Sequence, residues 1–217
     1  MTPIFITGIG TGVGKTLIAA IVTEALSADY WKPIQAGYED GTDTITVKEL
    51  LSNEGSVVHP ELYRLKTPAS PHIAAAKDGI EIDLDTITQN ATSLVQSIAP
   101  KPLIIEGAGG LLVPLTSSLM VADLIKSLNA RVILVSRNYL GSINHSLLTA
   151  AYCRSHGIEV AGWIFNDDYM NYEEEIVQWS DYPSLGSVPK MEPIDKTTVH
   201  EQAMRIKSSL IGKLQLL

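Results

Sequence analysis

Gly8, Gly10, Gly12 and Gly14 stand directly before Lys15 and Thr16. Glycines at this density let a backbone turn tightly and aim several N–H groups at one anion. A lysine and a hydroxyl at the end of such a turn suit the β- and γ-phosphates of a nucleotide and its Mg²⁺. An apolar Ile-Phe-Ile run at residues 4–6 precedes the turn, and a helical stripe at 17, 18, 21, 22, 25 and 26 follows it. Strand, glycine turn and helix together predict a phosphate-binding loop over residues 8–16, with the helix N-terminus adding partial positive charge. Five residues separate Gly8 from Gly14 where the common P-loop has four, so the loop belongs to a variant subclass.

A phosphate-bound metal calls for carboxylates. Glu106 follows the apolar run 103–105 and opens onto Gly107-Ala108-Gly109-Gly110. A carboxylate at the carboxyl end of a buried strand faces the crevice where such sheets bind ligands. Asp43 follows the flexible stretch 37–41 and begins a helical pattern, so a metal ligand and a plain helix cap are both open for it. Residues 30–33, Tyr-Trp-Lys-Pro, read as a short strand. Lys32 at its end, beside the phosphate site, would be costly unless an anion meets it. Spacing alone does not say which anion.

These side chains need a frame. Apolar runs at 4–6, 103–105, 132–135 and 160–165 do not alternate with polar residues, as expected for parallel strands covered on both faces. Helical patterns lie between them at 15–26, 83–99, 120–128, 144–155 and 198–210. The alternation predicts a doubly wound α/β fold: a mainly parallel sheet with helices on both faces, of variant P-loop NTPase type. No repeat or linker divides the chain, and its 217 residues are expected to form one nucleotide-binding domain, 1–217. Residues 38–71 are the least regular and are expected to fold over the strand ends.

A net charge of −8 argues against a nucleic-acid or anionic-membrane partner. No apolar run approaches the roughly 18 residues of a membrane span, and no basic stretch precedes the first apolar segment, so no secretory signal is expected. The single cysteine, Cys153, reads as a buried helical thiol. With no disulfide to form within the chain, a cytoplasmic location fits.

Several longer segments resemble the dethiobiotin synthetase family of the biotin pathway. They are the loop 8–16, Lys32-Pro33-Ile34-Gln35-Ala36-Gly37, Thr42-Asp43, Ala69-Ser70-Pro71-His72-Ile73, Glu106-Gly107-Ala108-Gly109-Gly110, Leu140-Gly141-Ser142-Ile143-Asn144-His145, Gly162-Trp163-Ile164-Phe165-Asn166-Asp167 and Leu185-Gly186-Ser187-Val188-Pro189. The resemblance implies that a diaminopelargonic acid amine takes up CO₂ as a carbamate. The carbamate attacks the γ-phosphate of ATP, and the second amine closes the ureido ring, releasing ADP and phosphate.

It further implies that Lys15 and Lys32 are catalytic and that Thr16, Asp43 and Glu106 hold Mg²⁺. ATP would be bound by Gly12, Val13, Gly14, Lys15, Thr16, Leu17, Glu106, Gly107, Ala108 and Gly109. Asn166 would read the adenine, with Asp167, Pro189, Lys190 and Met191 around it. Substrate would meet Thr11, Ala36, and the turn Gly141, Ser142, Ile143 and Asn144. That turn would lie at the two-fold contact of a homodimer and present a helix N-terminus to the far carboxylate. His72 and His145 are expected to be hydrogen-bonded structural imidazoles. The alternatives are an amidoligase of the cobyrinic acid diamide synthase type and a nucleotide-switched partitioning-type ATPase. The first usually carries an added glutaminase domain, and the second a lysine six positions before the loop lysine, where this chain has Ile9.

Overall fold

The computed structural model describes residues 2–215. In chain order the elements are β1 (Ile4–Gly8), α1 (Lys15–Leu26), β2 (Asp29–Trp31), β3 (Ile34–Ala36), α2 (Asp43–Leu50), β4 (Val58–His59), β5 (Tyr63–Leu65), α3 (Pro71–Asp78), α4 (Leu84–Ile98), β6 (Leu103–Gly110), α5 (Val121–Ser127), β7 (Arg131–Arg137), α6 (Ser142–Ser155), β8 (Val160–Asn166), α7 (Glu173–Ser180), β9 (Ser184–Val188) and α8 (Lys196–Leu214). Seven strands form one sheet in the order β4-β2-β6-β1-β7-β8-β9. Every pairing in it is parallel. β3 and β5 pair separately as a two-stranded parallel ribbon.

The unbroken apolar runs are explained by the two faces they serve. Ile4, Ile6, Ile104, Ile133, Val135 and Ile164 point to one side and pack with residues of α1, α2 and α8. Their neighbours Phe5, Leu103, Ile105, Val132, Leu134, Trp163 and Phe165 point to the other and pack with residues of α3 to α7. Successive strand residues face opposite sides, so a strand buried on both must be apolar throughout.

The structure extends or corrects several boundaries. β6 does not end at Glu106 but runs on to Gly110, because it stays paired with β1 to the Gly8–Gly110 register. α6 begins at Ser142, two residues earlier than its pattern suggests, because Gly141 caps it at φ +105°, a conformation glycine adopts without strain. α3, α7, β5 and β9 are additional elements, each eight residues or fewer. The irregular stretch 38–71 contains α2 and two short strands, and its end returns toward the carboxyl edge of the sheet. Among the described residues no helix is long and apolar enough to cross a membrane.

Candidate active site

The turn between β1 and α1 lies at the carboxyl edge of the sheet. Gly14 is the N-cap of α1 at φ +89°, and no side chain caps the helix, which leaves amide donors directed outward. A Cβ at Gly14 would collide with Asn166 Nδ2, so only glycine lets the end of β8 come this close. Asn166 Nδ2 donates to the Val13 carbonyl at 3.0 Å and ties the two strand ends together. Lys15 is buried, and its ammonium donates to the Gly10 carbonyl at 2.9 Å.

Four further side chains converge on this turn. Thr16 Oγ1 lies 3.0 Å from Asp43 Oδ1 and 3.0 Å from Glu106 Oε1. The Lys32 ammonium sits 2.5 Å from Asp43 Oδ2 and 3.1 Å from Glu106 Oε1. Glu106 Oε2 accepts from the Tyr30 hydroxyl at 2.8 Å. Three hard oxygens, those of Thr16, Asp43 and Glu106, thus meet at one point, the donor type that Mg²⁺ takes. The helix-cap alternative for Asp43 is resolved: Thr42 is the cap, accepting from the Ile45 amide, and the Asp43 carboxylate is left for the cluster. Gln35 steadies this arrangement by donating to the Gly37 carbonyl and accepting from the Asp43 amide.

Electrostatics separate the two lysines. Burial opposes the charge on Lys32, but Glu106 and Asp43 outweigh it and raise its pKa above the usual lysine value. Burial lowers the pKa of Lys15; Lys32 acts in the same sense, and Glu106 and Asp43 only partly offset the shift. Asp43 resists its own burial because Lys32 holds its carboxyl below the usual range.

Two cavities flank the loop. The larger, about 720 Å³, is lined by Thr11, Gly12, Gly14, Lys15 and Thr16 on one side and by Lys32, Ala36, Asp43, Glu106, Ala108 and Gly109 on the other. Gln35, Ser70 and Pro71 complete its wall. The second, about 510 Å³, lies along Leu17, Asn166, Asp167, Pro189, Lys190 and Met191, and shares Gly12 and Gly14 with the first. Val13 lies beneath the loop, buried, and Gly107 backs onto the Phe5 ring. Apart from Val13 and Gly107, the nucleotide and metal residues expected from the sequence line one or other of these two chambers, which share the glycine turn.

The turn 141–144 stands apart from both chambers within its own chain. Gly141 and Asn144 are exposed, while Ile143 packs against the core. Ser142 is fully buried: its Oγ meets Tyr172 Oη at 2.7 Å, and its amide donates to the Tyr139 carbonyl at 2.9 Å. The expectation of a freely presented helix start is thus corrected at Ser142, whose polar groups are already used. His145 is hydrogen-bonded, Nδ1 to Tyr139 Oη at 2.7 Å, but His72 is not as expected: its buried Nδ1 has no partner among the described residues. Cys153 is a buried thiol in α6, and burial pushes its pKa up to about 12.

Three residues that bear on the site carry no signal in the sequence. Tyr30 reads as a core aromatic, and only the fold shows its hydroxyl on Glu106. Gln35 lies inside a segment that resembles the family, but its link to Asp43 spans an irregular loop. Arg137, the last residue of β7, lines the second chamber, pairs with Asp167 at 3.2 Å and reaches the Gly12 carbonyl at 3.4 Å. An arginine ending a strand is unremarkable by itself.

A family model described as an AAA domain matches residues 2–198. The chain is 47% identical over 207 residues to the ATP-dependent dethiobiotin synthetase BioD of Cytophaga hutchinsonii, covering 95% of this chain and 97% of the relative. It is 46% identical to the protein of the same name from Christiangramia forsetii, over 95% and 96% of the two chains. Among solved structures, the MinC:MinD cell division protein complex of Aquifex aeolicus aligns with a TM-score of 0.62 at 14% identity, covering 99% of this chain and 96% of that one. The cell division ATPase MinD of Pyrococcus furiosus aligns at 0.59 and 13% identity, covering 99% of both chains. At such identities these two likenesses concern the fold alone.

Proposed function

Because the chain belongs to the ATP-dependent dethiobiotin synthetase family, we propose that it carboxylates 7,8-diaminopelargonic acid with CO₂ and closes the ureido ring at the expense of ATP, releasing dethiobiotin, ADP and phosphate. The observation that carries this reading is the Lys32 ammonium, held between Asp43 and Glu106 on the open side of the phosphate loop. A switch ATPase needs a nucleotide site. A ligase that activates a carbamate also needs a cation aimed at a second anion, and Lys32 supplies one in the chamber beside the loop.

In this reading the smaller chamber takes the base and ribose. One N–H of the Asn166 amide is used by Val13, and its other N–H and its Oδ1 remain for the adenine edge. Asp167, Pro189, Lys190, Met191 and Leu17 enclose the base. Phosphates cross the glycine turn at Gly12, Val13 and Gly14, whose amides and the start of α1 meet them. Glu106, Gly107, Ala108 and Gly109 form the facing wall. Lys15 is aimed at the transferring phosphoryl group, and Lys32 at the carbamate and the γ-phosphate together. Both lysines stabilise charge that gathers as the carbamate oxygen attacks phosphorus and ADP departs. The second amine then attacks the carbamate carbon and displaces phosphate.

Thr16, Asp43 and Glu106 would hold Mg²⁺. Two carboxylates and a hydroxyl, with phosphate oxygens completing the shell, are a donor set this ion accepts. The ion supplies charge neutralisation of the phosphates.

The diamine lies in the larger chamber against Thr11 and Ala36. Its far carboxylate is met by Gly141, Ile143 and Asn144 of a second copy, with Ser142 shaping that turn from within. A homodimer is supported by an apolar face next to the turn. Leu112 and Leu148, 59% and 62% exposed, line a cavity of about 320 Å³, and Leu140, 93% exposed, stands at the turn itself. The small substrates need no nucleic acid or membrane, and a cytoplasmic location accords with a free, buried Cys153.

The test is incubation with the diamine, isotope-labelled bicarbonate, Mg²⁺ and ATP, followed by mass spectrometry. Labelled dethiobiotin is expected. ATP hydrolysis without any such product would overturn the assignment and leave only a nucleotide hydrolase.

A further inference from the structure

The roles proposed above use one oxygen of Glu106 and leave the other unexplained. Oε1 faces Thr16 and Lys32, at 3.0 and 3.1 Å. Oε2 points away from them into the core, where it accepts from the hydroxyl of Tyr30 at 2.8 Å. Tyr30 is fully buried on β2, and Glu106 is 1% exposed. β2 and β6 are paired in the register Tyr30–Ile104, so the phenol reaches two residues along the neighbouring strand to meet the carboxylate.

A carboxylate held on one oxygen alone could rotate about its terminal bond. A phenolic hydroxyl has one proton to donate, and it is committed here to Oε2. That bond fixes which oxygen looks toward the cleft and anchors the carboxylate plane from behind. Lys32 and Thr16 hold the other oxygen from the front. A phenol is protonated at neutral pH in any case, so it serves Oε2 as a donor.

We propose that Tyr30 is a positioning residue that fixes Glu106 so that Oε1 alone is presented to the metal and the phosphates. The proposal rests on the reading of Glu106 as a metal ligand, and the experiment must separate the two. Groups that orient a metal ligand from behind commonly alter metal affinity about 10- to 100-fold when removed. Tyr30→Phe keeps the ring and deletes only the donor, which makes it the variant of choice.

The experiment is calorimetric titration of ADP, with and without Mg²⁺, into wild type, Tyr30→Phe, Glu106→Gln and the double variant. No turnover is required. Tyr30→Phe is expected to bind ADP as wild type does without Mg²⁺. With the ion, its Mg²⁺ concentration for half-maximal tightening should rise about tenfold. Adding Tyr30→Phe to Glu106→Gln should change nothing further, since both act through one carboxylate. If Glu106→Gln leaves the Mg²⁺ titration unchanged, the metal-ligand reading fails and the proposal with it. If Glu106→Gln shifts the titration and Tyr30→Phe does not, only the proposal fails. A lowered thermal midpoint in Tyr30→Phe with an unaltered Mg²⁺ titration likewise overturns the proposal alone, because the hydrogen bond then serves stability and nothing else.

Discussion

Glu24, in α1, and Glu106, in β6, are both buried carboxylates, 3% and 1% exposed, but their surroundings differ in kind. Glu24, in α1, is wrapped by donors: the amide and hydroxyl of Ser52, the amide and side chain of Asn53, and Nδ1 of His200 in α8. Burial would push Glu24 up, but the bonds from His200, Ser52 and Asn53 reverse this and hold its pKa at about 2. Both oxygens are fully engaged, and the clasp ties α1, the segment after α2, and α8 together. Glu106 instead meets one neutral donor from the core side, and on the other a lysine and a threonine shared with a second carboxylate at the edge of a large cavity. A buried charge saturated by local donors is a device of stability. A buried charge balanced by a cation that also faces open volume is poised to act on something that enters.

The contrast can be broken most sharply at Lys15. Lys15→Ala is expected to reduce dethiobiotin formation by roughly 10²–10³-fold, as loss of a donor to transition-state charge does. Its thermal midpoint should stay close to that of wild type, because Lys15 carries a burial cost that the alanine removes. A collapse of folding would place Lys15 with Glu24 as a stability element.

Glu24→Gln should do the reverse. The depressed pKa corresponds to stability present above the ordinary value of 4.5 and lost as pH falls through about 2. Chemical denaturation at neutral pH should show a loss on the order of 3 kcal/mol in the variant, with kcat and KM unchanged. The difference between variant and wild type should shrink as pH is lowered through that window. A constant difference would mean that Glu24 contributes by packing and not by charge.

Asp43→Asn sharpens the comparison on the cleft side. It should raise the Mg²⁺ requirement about tenfold, more than it disturbs stability, since Lys32 keeps Glu106 as a partner. An unchanged Mg²⁺ dependence would remove Asp43 from the metal set. The smallest effect is expected at Gly141, whose φ of +105° a valine would strain. Gly141→Val should weaken diamine binding severalfold and leave ATP binding as it is. Mixed dimers with Lys15→Ala should recover some activity, and no recovery would mean that each site is built within one chain.

Most of the sheet and the phosphate loop were legible in the sequence because each rests on local signals. Two-sided strands are continuous apolar runs, and the loop is a glycine pattern next to a lysine. α3 and α7 were not legible: each covers only a small patch of core, so neither shows a sustained apolar stripe. On the cleft, Glu106 and Lys32 could be singled out because a charge at the end of an apolar run is conspicuous. Tyr30 and Gln35 could not, since a tyrosine or a glutamine in a short strand is ordinary. Their meaning lies in contacts 76 and 8 residues away. Asp43 fell between the two cases, because the helix cap that competed with the metal role belongs to its neighbour Thr42.

Everything proposed for the cleft turns on Lys32, which lies between the carboxylates of Asp43 and Glu106 and serves the chemistry of a carbamate, not merely the grip on a nucleotide. The sharpest test compares ADP and dethiobiotin formed in the same reactions by wild type and Lys32→Gln, alongside ATP affinity for each. Wild type should form the two products in equal amounts and only when diamine and bicarbonate are present. Lys32→Gln should bind ATP nearly as wild type does and form neither product. Equal losses of ATP affinity and turnover in Lys32→Gln would make this lysine a plain phosphate clamp. ADP release by wild type at the same rate without the diamine would likewise refute its role in carbamate chemistry.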